Sequence, residues 1–268
     1  MREYTNLVWP DTPFGADKRP WPRKVHLIAA IAVQWAADGE HRVPAAMALV
    51  YLPVRRAGTR PLLPETLHFG YRIAVVDDPG ESPDVVALID GHLVQGRRHA
   101  AVLAVHGWDE DAVVLRRWAA VGTPGIIATE AAWAEREAVE RGTARLVETS
   151  RDIGHASPQL PTACQRHGLD ITHGDGGLLS LADIQAAYQQ VRAAPDARLG
   201  QADRDRAAQA LGLSALCQGL VTALLAGEAT GRCTWSPHLP VYQVLANAAW
   251  DAFPDVLSHR SPARAGGG

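Results

Sequence analysis

Apolar residues recur along this chain in several rhythms, and each rhythm predicts a different element. From Arg23 to Ala37 they fall at Val25, Ile28, Ile31, Ala32 and Trp35, a helical spacing with Gly39 placed to end it. The segment is apolar nearly all round, so a buried helix is expected. The run "AMALVYLPV" from Ala46 to Val54 is too short for its period to decide between a buried strand and a short helix.

A regular alternation occupies Tyr71 to Ser150. "YRIAVV", "HAAVLAV", "GIIAT" and "ARLVE" read as short strands. "DVVALIDGHLVQG", "DAVVLRRWAAVG" and "EAAWAEREAVERG" read as the helices between them. Strands separated by single helices call for a parallel sheet with right-handed crossovers. The expected fold is therefore α/β, a small doubly wound, mainly parallel sheet of Rossmann-like or flavodoxin-like type.

Beyond Gly177 the strand signal stops. Ser180 with Asp183 three residues later is a helix start, and Leu181, Ile184, Tyr188 and Val191 continue one face as far as Pro195. Later helical stretches are separated by Gly212, Gly227 and Pro237. This gives residues 1–70 as an N-terminal extension with a buried helix, 71–150 as the α/β core, 151–179 as a connector, 180–258 as an all-helical block and 259–268 as a tail disordered by composition.

Composition changes the picture mainly by exclusion. Of 268 residues, 47% are apolar, enough for a substantial core. The net charge of −3 and the lack of long runs of like charge disfavour nucleic acid and anionic membranes as partners. Three widely spaced cysteines fit a reducing compartment better than a disulfide framework. The first residues lack the apolar core of a secretory signal, and the run "VHLIAAIAVQWAA" is too short to span a bilayer, so a cytoplasmic location is expected. Arginine-rich, lysine-poor usage points to a bacterial source, and the only lysines, Lys18 and Lys24, leave no lysine for catalysis deeper in the chain.

In an open parallel sheet ligands sit beyond the carboxyl ends of the strands. That rule selects Asp77 and Asp78 after the first strand of the core, His106 and Asp109 after the second, and Thr129 and Glu130 after the third. Asp77, Asp78, His106 and Glu130 are the candidate catalytic residues: the acids would position a cation or water and the imidazole would move a proton. The competing reading is that the acids only open the helices that follow. "AVVDDPG" shares a strand-then-acidic-pair with phosphoribosyltransferases and response-regulator receivers, but lacks the phosphate loop of the first and the late lysine of the second. Dinucleotide, Walker, nucleophile-elbow and His-Glu-x-x-His signatures are absent.

The stretch from His155 to Gly177 has no period and holds Cys164, His167, His173 and Asp175, a ligand set of the type zinc uses. With only one closely spaced pair, its alternative is a polar connector. No cofactor is defined; a divalent metal is the candidate. Arg204 to Gly227 resembles a bacterial helix-turn-helix in its Ala-Ala pair and Gly-Leu-Ser turn. Ser214 to Leu225, however, offers little beyond Gln218 to base edges, and a buried helical hairpin is expected instead. Eight tryptophans, Trp118 and Trp133 among them, are expected in the core or at an interface.

Three functions follow. The first is binding of a small phosphorylated or nucleotide-like ligand at the strand rim, as sensor or hydrolase. The second is a non-catalytic subunit of a larger complex, docking on a protein partner through the helical block. The third is a DNA-binding regulator.

Overall fold

The computed structural model describes residues 1–7, 25–55, 61–119, 122–135, 143–171, 177–193, 200–249 and 251–257. The chain runs through β1 (Arg2–Thr5), β2 (Val25–Asp38), β3 (His41–Arg55) and β4 (Gly70–Val75), then α1 (Ser82–His99), β5 (Val102–Val105), α2 (Trp108–Trp118), α3 (Pro124–Ala134) and β6 (Arg145–Glu148). It continues through α4 (Leu160–Arg166), β7 (Leu169–Asp170), α5 (Leu181–Arg192), α6 (Gln201–Ala229), β8 (Leu239–Pro240), α7 (Val241–Ala249) and α8 (Pro254–Leu257).

Six strands form one sheet in the order β1-β4-β3-β2-β5-β6. Its β1–β4, β4–β3 and β3–β2 pairings are antiparallel, and only β2–β5 and β5–β6 are parallel. The sheet is thus mixed, where a mainly parallel, Rossmann-like one was expected. The segment expected to be a helix at 23–37 is the central strand β2, joined to β3 by a tight hairpin with Gly39 at φ 60°. Gly39 turns a hairpin here and does not end a helix. Residues before 71 do not stand apart from the core, since β1, β2 and β3 are half of its strands.

The helical spacing of β2 misleads because the strand is covered on both faces, which removes the alternation that marks a half-exposed strand. On one face Ala29 meets Gly96 of α1, and Tyr51 of β3 meets His92. On the other, Ile28 lies against Gly227 and Val50 against Gly219, both of α6. A Cβ at Gly219 would stand 2.9 Å from Val50 Cγ2, so glycine lets the helix lie directly on the sheet.

"GIIAT" is not a strand. Pro124 occupies the first turn of α3, and Ile126, Thr129 and Trp133 form its buried face. A Cβ at Gly125 would come within 2.1 Å of the Asp90 carbonyl oxygen, and Ile126 N–H donates to Asp90 Oδ1 at 2.8 Å, so α3 is clamped onto α1.

The Arg204–Gly227 stretch lies within one uninterrupted 29-residue helix, neither a hairpin nor a helix-turn-helix. The helix α6 has the length and apolarity of a membrane span, but its apolar window is 89% buried against the rest of the fold. The 151–179 segment carries α4 and β7, the latter paired in parallel with β8. The tail at 259–268 lies outside the described residues.

Candidate functional site

β2, β4, β5 and β6 run in one direction and β3 against them, so four carboxyl ends share one rim. The expected catalytic set does not gather there, although Asp109 and Glu130 line one cleft of about 600 Å³ together with Arg116 and Arg151. Asp77 accepts from Arg2 Nε at 2.8 Å, and Arg2 also reaches Asp205 at 2.6 Å. Asp78 caps the short turn that opens α1, accepting from Gly80 N at 2.8 Å. Both acids sit past β4, which is three strand spacings from β5, roughly 14 Å away.

His106, at the end of β5, has Nδ1 2.9 Å from Thr149 Oγ1 and Nε2 3.1 Å from the Pro158 carbonyl oxygen. Burial holds its pKa below the ordinary imidazole value, against the Pro158 contact and the Glu148 charge. Glu130 does not follow a strand. It lies within α3, accepting from Arg116 Nε at 2.6 Å. Asp109 pairs with Arg151 at 2.8 Å.

The expected metal set is also divided. Cys164 is fully buried on α4, and burial pushes its thiol pKa up. His167, the next residue after α4, has Nδ1 2.5 Å from Glu228 Oε2 and Nε2 2.5 Å from the Gly154 carbonyl oxygen. His173 and Asp175 lie outside the described residues. Among the described residues no group of three or more His, Cys, Asp or Glu side chains could hold a metal ion.

A different crevice does form on the rim. In β2, Ala30 pairs with Ala104 of β5, so β5 ends level with Ile31, while β2 and β3 continue past it as an arm. A register shift at Gln34/Trp35 sets Trp35 opposite Pro44 and leaves Ala45 as the extra residue of a β-bulge. Proline is tolerated there because a bulge asks less of its missing N–H.

The arm is held between two helices. From α2, Asp111 accepts from Trp35 Nε1 at 2.6 Å, and Trp118 Nε1 donates to the Arg42 carbonyl at 2.7 Å. From α5, the Gln185 amide both accepts from Ala37 N, at 2.6 Å, and donates to Ala37 O, at 3.0 Å. Arg192 pairs with Asp38 at 2.7 Å.

The crevice left beside β2 has a volume of about 200 Å³ and is walled by Val33, Trp35, Leu160, Leu178, Leu181 and Ile184. Its polar side chains are the amides of Gln34 and Gln218, and that of Gln34 is engaged within the fold. Gln34 Oε1, turned toward Ser214 Oγ at 2.6 Å, leaves its nitrogen 3.2 Å from the Leu211 carbonyl. Ser214 Oγ in turn accepts from Leu179 N at 2.9 Å, and the Gln34 oxygen accepts from Ala215 N at 3.1 Å as well. Leu181 is 76% exposed at the mouth.

Asp111 is the group that sequence reading missed. Burial raises its pKa to about 7, against the Trp35 hydrogen bond and the Arg42 charge, with Glu148 and Glu110 pushing it further up. As one of three acids opening α2 it carries no mark in the sequence, because its burial depends on the arm, which itself read as a helix. No protein-family model, characterised protein or solved structure matches this chain.

Proposed function

We propose that this protein is a non-catalytic binding subunit that receives an apolar segment of a partner in the crevice beside β2. The observation that carries the reading is the character of that crevice. At the position where an open α/β sheet presents its ligand groups, leucine, isoleucine and tryptophan side chains line the walls. The partner therefore docks on the rim between α2 and α5. The helical block serves as support, because its longest helix is spent covering the sheet.

The ligand-binding reading at Asp77, Asp78, His106 and Glu130 has less behind it. Each of these side chains already has its own partner, and the acids of β4 and α3 do not face His106 across one cavity. A DNA-binding role draws no support from a buried α6 and a net charge of −3.

The test compares two probe classes on the wild-type chain and on Leu181→Asp, a change at an exposed position. The neutral fluorophore N-phenyl-1-naphthylamine, which reports apolar surface, should bind the wild type and lose most of its enhancement in Leu181→Asp. Isothermal titration with AMP, ADP and inorganic phosphate should give no heat of binding. Nucleotide binding abolished by Asp77→Asn or His106→Gln would overturn the proposal and restore the ligand site.

A further inference from the structure

Between α2 and α3 lies a cleft of about 600 Å³, a size that admits a small ligand. On α2, Asp109, Ala112, Val113 and Arg116 follow one another at helical spacing and line it. The acid and the guanidinium therefore stand two turns apart, roughly 10 Å along the axis, with two apolar side chains between them. Glu130 and Trp133 of α3 line it from the other helix.

The two ends of the cleft carry opposite signs. Asp109 belongs to an acidic first turn with Glu110, and Arg116 to a basic last turn with Arg117. Each is oriented by one opposite charge: Arg151 Nη1 donates to Asp109 Oδ2 at 2.8 Å, and Arg116 Nε donates to Glu130 Oε2 at 2.6 Å. No other side-chain hydrogen bond of Asp109 or Arg116 occurs among the described residues, which leaves Asp109 Oδ1 and both Arg116 Nη groups open. Asp109 is 68% exposed and Arg116 64%, so a ligand can reach both.

One donor in the wall is also unspent. The Trp133 indole, stacked on Trp108 at a centroid distance of 5.3 Å, is 5% exposed, and its Nε1 has no hydrogen-bond partner. A buried indole N–H is normally paired, and the cleft is the open space that this side chain borders. We infer that the cleft binds a short zwitterionic peptide of about three residues, its ammonium at Asp109, its carboxylate across the two Nη groups of Arg116 and a main-chain carbonyl at Trp133 Nε1. An extended tripeptide spans about 10 Å at most, which matches the separation of the charged ends. A free amino acid carries both charges on one carbon and reaches only one end. The site is separate from the crevice beside β2 and does not rest on it.

Isothermal titration of the full chain uses the tripeptides Ala-Ala-Ala, Ala-Leu-Ala and Ala-Phe-Ala, with free leucine and phenylalanine beside them. At least one tripeptide is expected to bind, and the free amino acids about tenfold or more weaker. N-acetylation and C-amidation of that tripeptide should each cost about tenfold or more. Asp109→Asn should remove the penalty of acetylation and Arg116→Gln that of amidation, both changes being at exposed positions. The Trp133 indole N–H resonance, assigned by its loss in Trp133→Phe, should move downfield on binding.

No heat from any tripeptide would overturn the inference, as would binding that survives capping of both ends. Leucine or phenylalanine binding as tightly as the tripeptide would overturn the two-ended seat, and an unmoved indole resonance the carbonyl contact. Tripeptide binding lost in Leu181→Asp would place the peptide in the crevice beside β2, overturning this site and leaving the binding-subunit reading in place.

Discussion

Trp35 Nε1 donates to Asp111 Oδ1 at 2.6 Å, tying the arm of the central hairpin to the first turn of α2. The bond places a carboxyl group where the arm shields it from water, and it joins the β2 wall of the crevice to a helix beyond it.

The folded pKa of Asp111, about 7, lies above the ordinary value of 3.8, so the folded chain holds a proton that the unfolded chain has released. Stability from this group is fully present below about pH 4, is lost as pH rises toward 7, and is constant above that. Asp111→Asn keeps an oxygen for Trp35 and cannot ionise. Urea unfolding at intervals from pH 4.5 to 8 should show the variant gaining on the wild type as pH rises; parallel curves would show that Asp111 is ionised at neutral pH.

His92 works in the opposite direction. Buried against the Tyr51 hydroxyl, it is pushed down to about 4 from 6.5, mainly by desolvation and further by the Arg72 charge. Its contribution is present above pH 6.5 and is lost as pH falls toward 4. His106, also lowered by burial, adds in the same sense. Asp111→Asn should therefore leave a curve that only rises with pH between 4 and 6.5. His92→Asn in the same measurement should reduce that rise, and an unchanged acid limb would place the titration elsewhere.

Gly125→Ala is expected to cost about 1–3 kcal/mol or more, because its Cβ would meet a backbone oxygen of α1 that has no rotamer to yield. Gly219→Ala, whose nearest neighbour is the Val50 side chain at 2.9 Å, should cost less. Equal denaturation midpoints for the two would mean that α3 shifts freely on α1.

His167→Ala should destabilise by about 1–2 kcal/mol, the value of a hydrogen bond to a charged group at a half-buried site. His167→Gln should recover part of that loss. Zinc or EDTA should leave the melting temperature of the wild type unmoved, whereas a zinc-dependent rise lost in His167→Ala would restore the metal set of Cys164, His167, His173 and Asp175.

Much of the middle of the fold was legible. Helices α1 and α2 and strands β4, β5 and β6 fall where the alternation of apolar runs puts them, and the Ser180–Asp183 capping box opens α5 as expected. The failures share a cause. In β2 and α3 the local pattern matched the wrong element because tertiary cover decided the outcome: β2 is enclosed by helices on both faces, and α3 is fixed by Asp90 and Gly125. Glu130 entered the candidate site only because α3 had been read as a strand, and Asp111 was overlooked because its shield had been read as a helix. Asp77, Asp78 and His106 were correctly located at strand ends, but nothing local could say that β3 and β2 would be inserted between them.

The long helix α6 also bears on how the protein is made. All six strands of the sheet precede residue 201, so during vectorial synthesis the ribosome releases the entire sheet before the helix that covers its second face. Until then Ile28, Val50 and their neighbours present an open apolar surface on a nascent chain. Chains arrested before α6 should be captured by chaperones or aggregate, and the codons preceding residue 201 become a place where translation speed affects yield.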